Sequence, residues 1–258
     1  MYLRENEANR QPAAEDLDPA ATALFLDIDG TLLEIAETPA SVRVDAETLA
    51  LLARLHAALG GALAFISGRP ILDVDRLFAP LRLPVAGQHG IERRDASGAW
   101  HRHDAPRLAL DRIRGRVARW VSDAPGILVE DKGSSIAFHY RRVPMQESRV
   151  REFLEAALRE SDDGLGIQPG KMVLEIKPAG RDKGTAIAEF MDEAPFRGRL
   201  PAFIGDDVTD EFGFEIVSGL GGYAIKVGDG ATGAPWRLED VAAARAWLAR
   251  LCSRKPKR

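Results

Sequence analysis

The sequence predicts an α/β fold: a doubly wound parallel-sheet core with an inserted α+β cap domain. Three observations predict it. Short apolar runs alternate with helix-period stretches in both the first and the last third of the chain, the pattern of a parallel sheet covered by helices. Those runs end in small or acidic residues, as strands of such a sheet do where they hand over to loops. Between 103 and 178 the alternation gives way to a helix, a strand pair, a helix and further strands, an α+β pattern.

The elements follow in order. Residues 1–20 are polar and charged and read as a loose leader. "ALFLDI" from Ala23 is a strand, and "DAETLALLARLHAAL" is an amphipathic helix with Asp45 at its cap. "GALAFIS" is a second strand, followed by a short helix with Pro70 in its first turn, and "LPVAGQHG" is a third strand. The insert holds helices over 107–123 and 145–159, with strand-like alternation in "ILVEDKGSSIAFHYR" and "LGIQPGKMVLEIKP". Beyond Pro178 the core pattern resumes through "DKGTAIAEFMDE", "LPAFIGDD", "DEFGFEIVS", "GYAIKVG" and "LEDVAAARAWLARL". The core therefore comprises 21–102 and 179–258, and the inserted domain 103–178. The basic "SRKPKR" at the end reads as a solvated terminus.

Composition narrows the function classes. At 258 residues, with 45% hydrophobic and 29% charged, the chain suits a globular domain pair with a sizeable core. A formal net charge of -4 gives no general attraction to nucleic acid or to an anionic membrane surface. No run approaches the roughly 18 apolar residues of a membrane span, and no apolar stretch near the start suggests a secretory signal. One cysteine, Cys252, excludes an internal disulfide and suits a reducing compartment. The expectation is a cytoplasmic monomer with no nucleic-acid or membrane partner.

Ligands of a parallel α/β sheet bind beyond the carboxyl ends of its strands, and four stretches put reactive groups there. In "DIDGT", Asp27 and Asp29 lie two residues apart, so on an extended chain both carboxylates face the same way. In "FIGDDVTDE", Asp206, Asp207 and Asp210 bring further negative charge, which is costly without a cation. All-oxygen ligands with no nearby His or Cys suit Mg2+. In "FISGRP", the Ser67 hydroxyl and the Gly68 backbone can hydrogen-bond phosphate oxygens. In "GRDKGTA", Lys183 starts a helix whose N-terminus already favours anions. Each stretch has a plain structural alternative, a turn, a cap or a solvated side chain; their occurrence together is the signal.

In this order the four stretches resemble the haloacid dehalogenase superfamily of aspartyl phosphotransferases. The resemblance implies that Asp27 is the nucleophile and Asp29 the general acid/base. It implies Mg2+ held by Asp27, Asp206 and the Asp29 backbone carbonyl, supported by Asp207 and Asp210, with Ser67, Gly68 and Lys183 on the phosphoryl oxygens. "GQHGIE", "VEDKGSSIAFHYR", "MVLEIKPAGRDKG" and "GDDVTDE" further resemble the trehalose-6-phosphate phosphatase family. That resemblance implies a phosphosugar substrate bound by Glu130, Lys132 and Glu175 of the cap; His89, His139 and Arg141 also fit its pattern. Carboxylates accept, and an ammonium donates, hydrogen bonds to sugar hydroxyls. The alternatives are another sugar phosphatase, of the sucrose-phosphate or mannosylglycerate-phosphate type, or a non-catalytic sugar-phosphate sensor.

Overall fold

The computed structural model describes residues 11–36, 41–103, 107–159 and 164–253. In chain order the first elements are β1 (Thr22–Leu26), α1 (Ala46–Ala58), β2 (Leu63–Ile66), α2 (Ile71–Leu77), β3 (Val85–Gly87), β4 (Glu92–Arg94) and β5 (Trp100–Arg102). The insert follows with α3 (Arg107–Trp120), β6 (Leu128–Asp131), β7 (Ile136–His139), α4 (Glu147–Arg159), β8 (Leu165–Gly170) and β9 (Val173–Pro178). The chain then returns with α5 (Lys183–Met191), β10 (Leu200–Gly205), α6 (Glu211–Gly219), β11 (Tyr223–Val227), β12 (Trp236–Leu238) and α7 (Val241–Cys252). It divides after His101 and after Arg181 into two compact units, the outer segments forming one and Arg102–Arg181 the other.

The first unit is built on an eight-stranded sheet of order β12-β11-β10-β1-β2-β3-β4-β5. The strands from β12 to β3 pair in parallel, and β4 runs antiparallel to β3. In β1, alternate residues serve opposite faces. Leu24 and Leu26 join the cluster that includes Leu52 and Leu55 of α1 and Trp247 of α7, whereas Ala23 and Phe25 join Ile187 and Phe190 of α5 and Phe214 of α6. Both faces are apolar, so β1 reads as a continuous hydrophobic run. Asp45 caps α1 as expected, its carboxylate accepting from the Thr48 amide at 2.6 Å. The chain leaves β1 toward β2 on one side and meets β10 on the other, which makes the carboxyl ends of β1 and β10 the switch point where ligands bind in such sheets.

The second unit is a four-stranded antiparallel sheet of order β6-β7-β9-β8. Leu110, Ile113 and Val117 of α3 and Val150 and Leu154 of α4 pack with Ile136, Phe138, Leu174 and Ile176 of the sheet. One sheet face thus supplies the core, and the strand period of two turns the intervening residues to the opposite face.

Two features depart from the sequence reading. The leader does not stay loose over its described part: residues 11–21 form short 3-10 turns at Ala14–Asp16 and Pro19–Ala21, bury Ala14 and Leu17, and place the Pro12 carbonyl where the Trp247 indole N–H donates to it at 2.8 Å. Ala14 and Leu17, with the buried Pro12 and Pro19, show no helix or strand period, yet they suffice to dock the stretch; residues 1–10 lie outside the described residues, as does the basic tail from 254. The antiparallel strand β4, which lies between β3 and β5, departs from the sequence reading too, because Glu92, Arg93 and Arg94 are buried charges rather than an apolar run.

Candidate active site

Asp27 follows directly on β1, its amide donating to the Ile204 carbonyl of β10 at 3.0 Å, so the backbone pairing itself carries Asp27 to the strand ends. Lys183, the first residue of α5, lies there too: its ammonium is 2.9 Å from Asp27 Oδ1 and 2.7 Å from Asp210 Oδ1. The remaining Asp210 oxygen accepts from the amides of Asp206 and Asp207 at 2.9 and 2.8 Å, which locks the turn after β10. One carboxylate oxygen from each of Asp27, Asp206 and Asp210 lies within 4.8 Å of the other two, and all three residues are buried. Thr31 Oγ1 donates to Asp206 at 3.4 Å, and the Lys226 ammonium donates to the Asp206 carbonyl. Gly30 is required here: its φ is +85°, and a Cβ would collide with the Asp206 carboxylate.

The electrostatics follow from burial. Removal from water pushes the Asp27 carboxyl well above the usual range, and the Asp210 and Asp206 charges push the same way against the opposing Lys183. Burial alone would lower Lys183, but the Asp210 and Asp27 carboxylates outweigh it and hold the ammonium above its ordinary value. Lys183 is thus a permanent cation among acids.

The other predicted core residues are placed as follows. Asp29 is half-buried and held by Arg69 through both oxygens, each contact 2.6 Å long, a side-on fork from Nε and one terminal nitrogen that fixes the carboxylate's plane. Ser67 is buried after β2, and its hydroxyl accepts from the Arg69 amide at 3.1 Å. The ring of His89 lies against Gly68, where a Cβ would come within 2.7 Å of it. Asp207 turns its carboxylate to its own helix start, accepting from the Val208 amide at 2.7 Å, so it supports the turn rather than joining the carboxylate cluster.

In the second unit, the sheet face away from the helices carries Glu130 and Glu175, and Lys132, the third predicted sugar-binding residue, directly follows β6. Lys132 Nζ lies 3.1 Å from Glu175 Oε2, with both side chains buried. His139 Nε2 lies 2.9 Å from Glu130 Oε2. Burial would raise Glu130, but the hydrogen bond from His139 and the charge of Lys132 hold its carboxyl below the usual range.

A family model described as trehalose-phosphatase matches residues 25–242. The chain belongs to the trehalose-phosphatase family. It is 44% identical over 229 residues to the trehalose-6-phosphate phosphatase of Escherichia coli, covering 89% of this chain and 86% of that one. A crystal structure described as a trehalose-6-phosphate phosphatase related protein superposes with a TM-score of 0.75 at 28% identity, covering 89% of this chain and 96% of the other. The C-terminal domain of the trehalose-6-phosphate phosphatase of Candida albicans shares the fold, with a TM-score of 0.77 at 19% identity over 93% and 94% of the two chains. Membership brings a reaction class: this trehalose-phosphatase relative is a phosphoric monoester hydrolase.

Sequence reasoning passed over three residues that this trehalose-phosphatase family member assembles at the site. Arg69 stood in the quoted "FISGRP" but was read as turn, although an arginine next to a phosphate-binding hydroxyl is a natural partner for a carboxylate. Thr31 stood in "DIDGT" without a role. Lys226 was a charged residue inside the apolar run "YAIKV", and a buried lysine in a strand signals a partner.

Proposed function

We propose that the chain is a Mg2+-dependent phosphatase that hydrolyses trehalose 6-phosphate to trehalose and phosphate through an aspartyl-phosphate on Asp27. One observation carries the reading: Asp27, Asp206, Asp210 and Lys183 are buried together at the strand ends of a trehalose-phosphatase family member. The substrate is supported by the name of the Escherichia coli relative.

The donor set fits Mg2+. Three crowded carboxylates with no nitrogen or sulfur ligand suit a small hard cation, and Asp210 is already engaged by Lys183 and two backbone amides. Asp27, Asp206 and the Asp29 main-chain carbonyl are the groups that would hold the ion. Bound there, Mg2+ supplies charge neutralisation for the phosphoryl oxygens.

The protein's own residues do the rest. Lys183 offsets the repulsion between the Asp27 carboxylate and the incoming phosphate, and the Ser67 hydroxyl and Gly68 amide bind phosphoryl oxygens. Asp27 attacks phosphorus, the bond from phosphorus to the sugar oxygen breaks, and that oxygen takes a proton from the Asp29 carboxyl. In the second half, Asp29 removes a proton from water, whose oxygen attacks phosphorus; the Asp27–phosphorus bond breaks and phosphate leaves. Arg69 fixes the plane of Asp29, and one oxygen must come off the guanidinium to hand over the proton. The polar face with Glu130, Lys132 and Glu175 binds sugar hydroxyls. We place this chemistry in the cytoplasm, in a monomer; among the described residues, no helix is long and apolar enough to cross a membrane.

The test is phosphate release from a panel of phosphosugars with and without Mg2+. Preference for trehalose 6-phosphate, dependent on the ion, is the expected result. Preference for sucrose phosphate or mannosylglycerate phosphate would replace the substrate and keep the chemistry; binding without release would replace the enzyme by a sensor.

A further inference from the structure

The register of the second unit's sheet aligns four residues in one transverse row. Glu130 of β6 stands opposite Ala137 of β7, Ala137 opposite Glu175 of β9, and Glu175 opposite Gln168 of β8. Directly opposed residues share a face, and Glu175 alternates with Leu174 and Ile176 of the core, so the whole row lies on the face away from the helices. Three strand spacings make the row roughly 14 Å long.

Three of its members are accounted for. Glu130 is paired with His139 and Glu175 with Lys132, and Ala137, small and fully buried, leaves the middle of the row low. Gln168 ends the row. It is 8% exposed, and its amide nitrogen makes no hydrogen bond among the described residues. A buried amide donor without a partner is unfavourable, and native folds rarely keep one without cause. The row neighbours on β8 that share its face are Gly166 and Gly170, and a Cβ at Gly166 would meet only the Ala179 Cβ, at 3.8 Å. On its own strand, therefore, neither neighbour on this face puts a side chain beside Gln168.

We infer that Gln168 is a specificity-determining residue: it binds hydroxyls of the sugar, so that the sugar site runs along the whole row and takes a ligand two rings long. The inference rests on the proposed reading of this polar face as the sugar site. A primary amide offers a donor and an acceptor in one plane, which matches a neighbouring pair of neutral hydroxyls better than a charged group does. Charge on this face is already supplied by Glu130, Lys132, Glu175 and Lys177, the last standing opposite Gly166, so Gln168 adds a neutral group to a charged face. A row of this length selects a disaccharide phosphate over a monosaccharide phosphate, because only the former reaches both Glu130 and Gln168.

The experiment compares wild type with Gln168→Met, which keeps volume and removes the amide, and with Gln168→Leu as a second variant. The substrates are trehalose 6-phosphate, glucose 6-phosphate and a small aryl phosphate. The expected result is that the ratio of kcat/KM for trehalose 6-phosphate to that for the aryl phosphate falls about tenfold, mainly through KM, as the loss of one or two hydrogen bonds implies. The preference for the disaccharide over glucose 6-phosphate shrinks with it. The melting temperature of the variants stays level or rises, since an apolar isostere removes the unpartnered donor. A ratio within about twofold of wild type, or equal losses on all substrates with a lowered melting temperature, overturns the inference and makes Gln168 structural. Should wild type prefer another phosphosugar, the substrate proposal fails by itself and the ratio is taken with the preferred one. Should it hydrolyse no phosphosugar better than the aryl phosphate, both proposals fall.

Discussion

The two units handle buried carboxylates in opposite ways. At the strand ends of the first unit, Asp27 and Asp210 share one ammonium, Lys183, with the Asp206 carboxylate close beside them. On the sheet face of the second, Glu175 is matched by Lys132 and Glu130 by His139, one partner each. The first arrangement is left demanding positive charge, and burial drives the Asp27 carboxyl up. In the second each carboxylate has a nitrogen partner, and Glu130 is driven down. On the proposed reading, the contrast separates a place that reacts with an anion from a place that holds neutral hydroxyls.

The hardest way to break this comparison is at Asp27. Asp27→Asn should cost at least about 10^3-fold in kcat for every phosphate ester while the circular dichroism spectrum stays native; near-normal turnover would remove Asp27 from the nucleophile's role. Depleting divalent cations with EDTA comes next. Activity should vanish on all substrates and return with added Mg2+, because the first unit lacks the compensating charge that the second supplies for itself. Persistent activity after exhaustive dialysis would mean that Lys183 and Lys226 are sufficient cations.

Smaller and more selective effects are expected on the sheet face. Glu130→Ala, Lys132→Ala and Glu175→Ala should each lower kcat/KM for trehalose 6-phosphate by about ten- to a hundred-fold more than for a small aryl phosphate. Parallel losses on both substrates would assign these residues to the fold.

The finest test reads the contrast as stability against pH without metal. Asp27 binds its proton more tightly folded than unfolded, so its contribution declines as pH rises above about 3.9, the unfolded value. Glu130 binds its proton less tightly when folded, so its contribution is present above about 4.3 and is lost as pH falls through its depressed folded value. In EDTA at neutral pH, Asp27→Asn should therefore raise the melting temperature and Glu130→Gln lower it, with both differences shrinking toward acid. Shifts of the same sign at neutral pH would end the comparison.

Most of the first unit was legible because its parallel strands are apolar on both faces and stop at acids or small residues. Asp27, Asp206 and Lys183 could be read from where those runs stop. What escaped was carried by buried charge. Glu92 accepts from the Ile71 amide, Arg93 forks onto Glu193, and Arg94 forks onto Asp75, so β4 is held by ion pairs and hydrogen bonds that no hydrophobic period reveals. Arg69 escaped for the same reason, its partner lying 40 residues away in sequence. In the second unit, alternation gave the strands, but only the pairing register could put Gln168 in line with Glu175 and Glu130.

The position of the insert has a consequence for synthesis. β1 pairs with β2, which follows closely, and with β10, which lies beyond the insert. Asp27 leaves the ribosome 156 residues (183 minus 27) before Lys183, and Asp206 and Asp210 later still. The second unit has its own core and can form while the first is still incomplete. The carboxylate cluster is thus a long-range feature, assembled late because the loop that closes it is long. A chain stalled or clipped in the insert carries Asp27 on an unpaired strand edge, without Lys183, Asp206 or Asp210, and on the proposed reading has no phosphatase activity of its own.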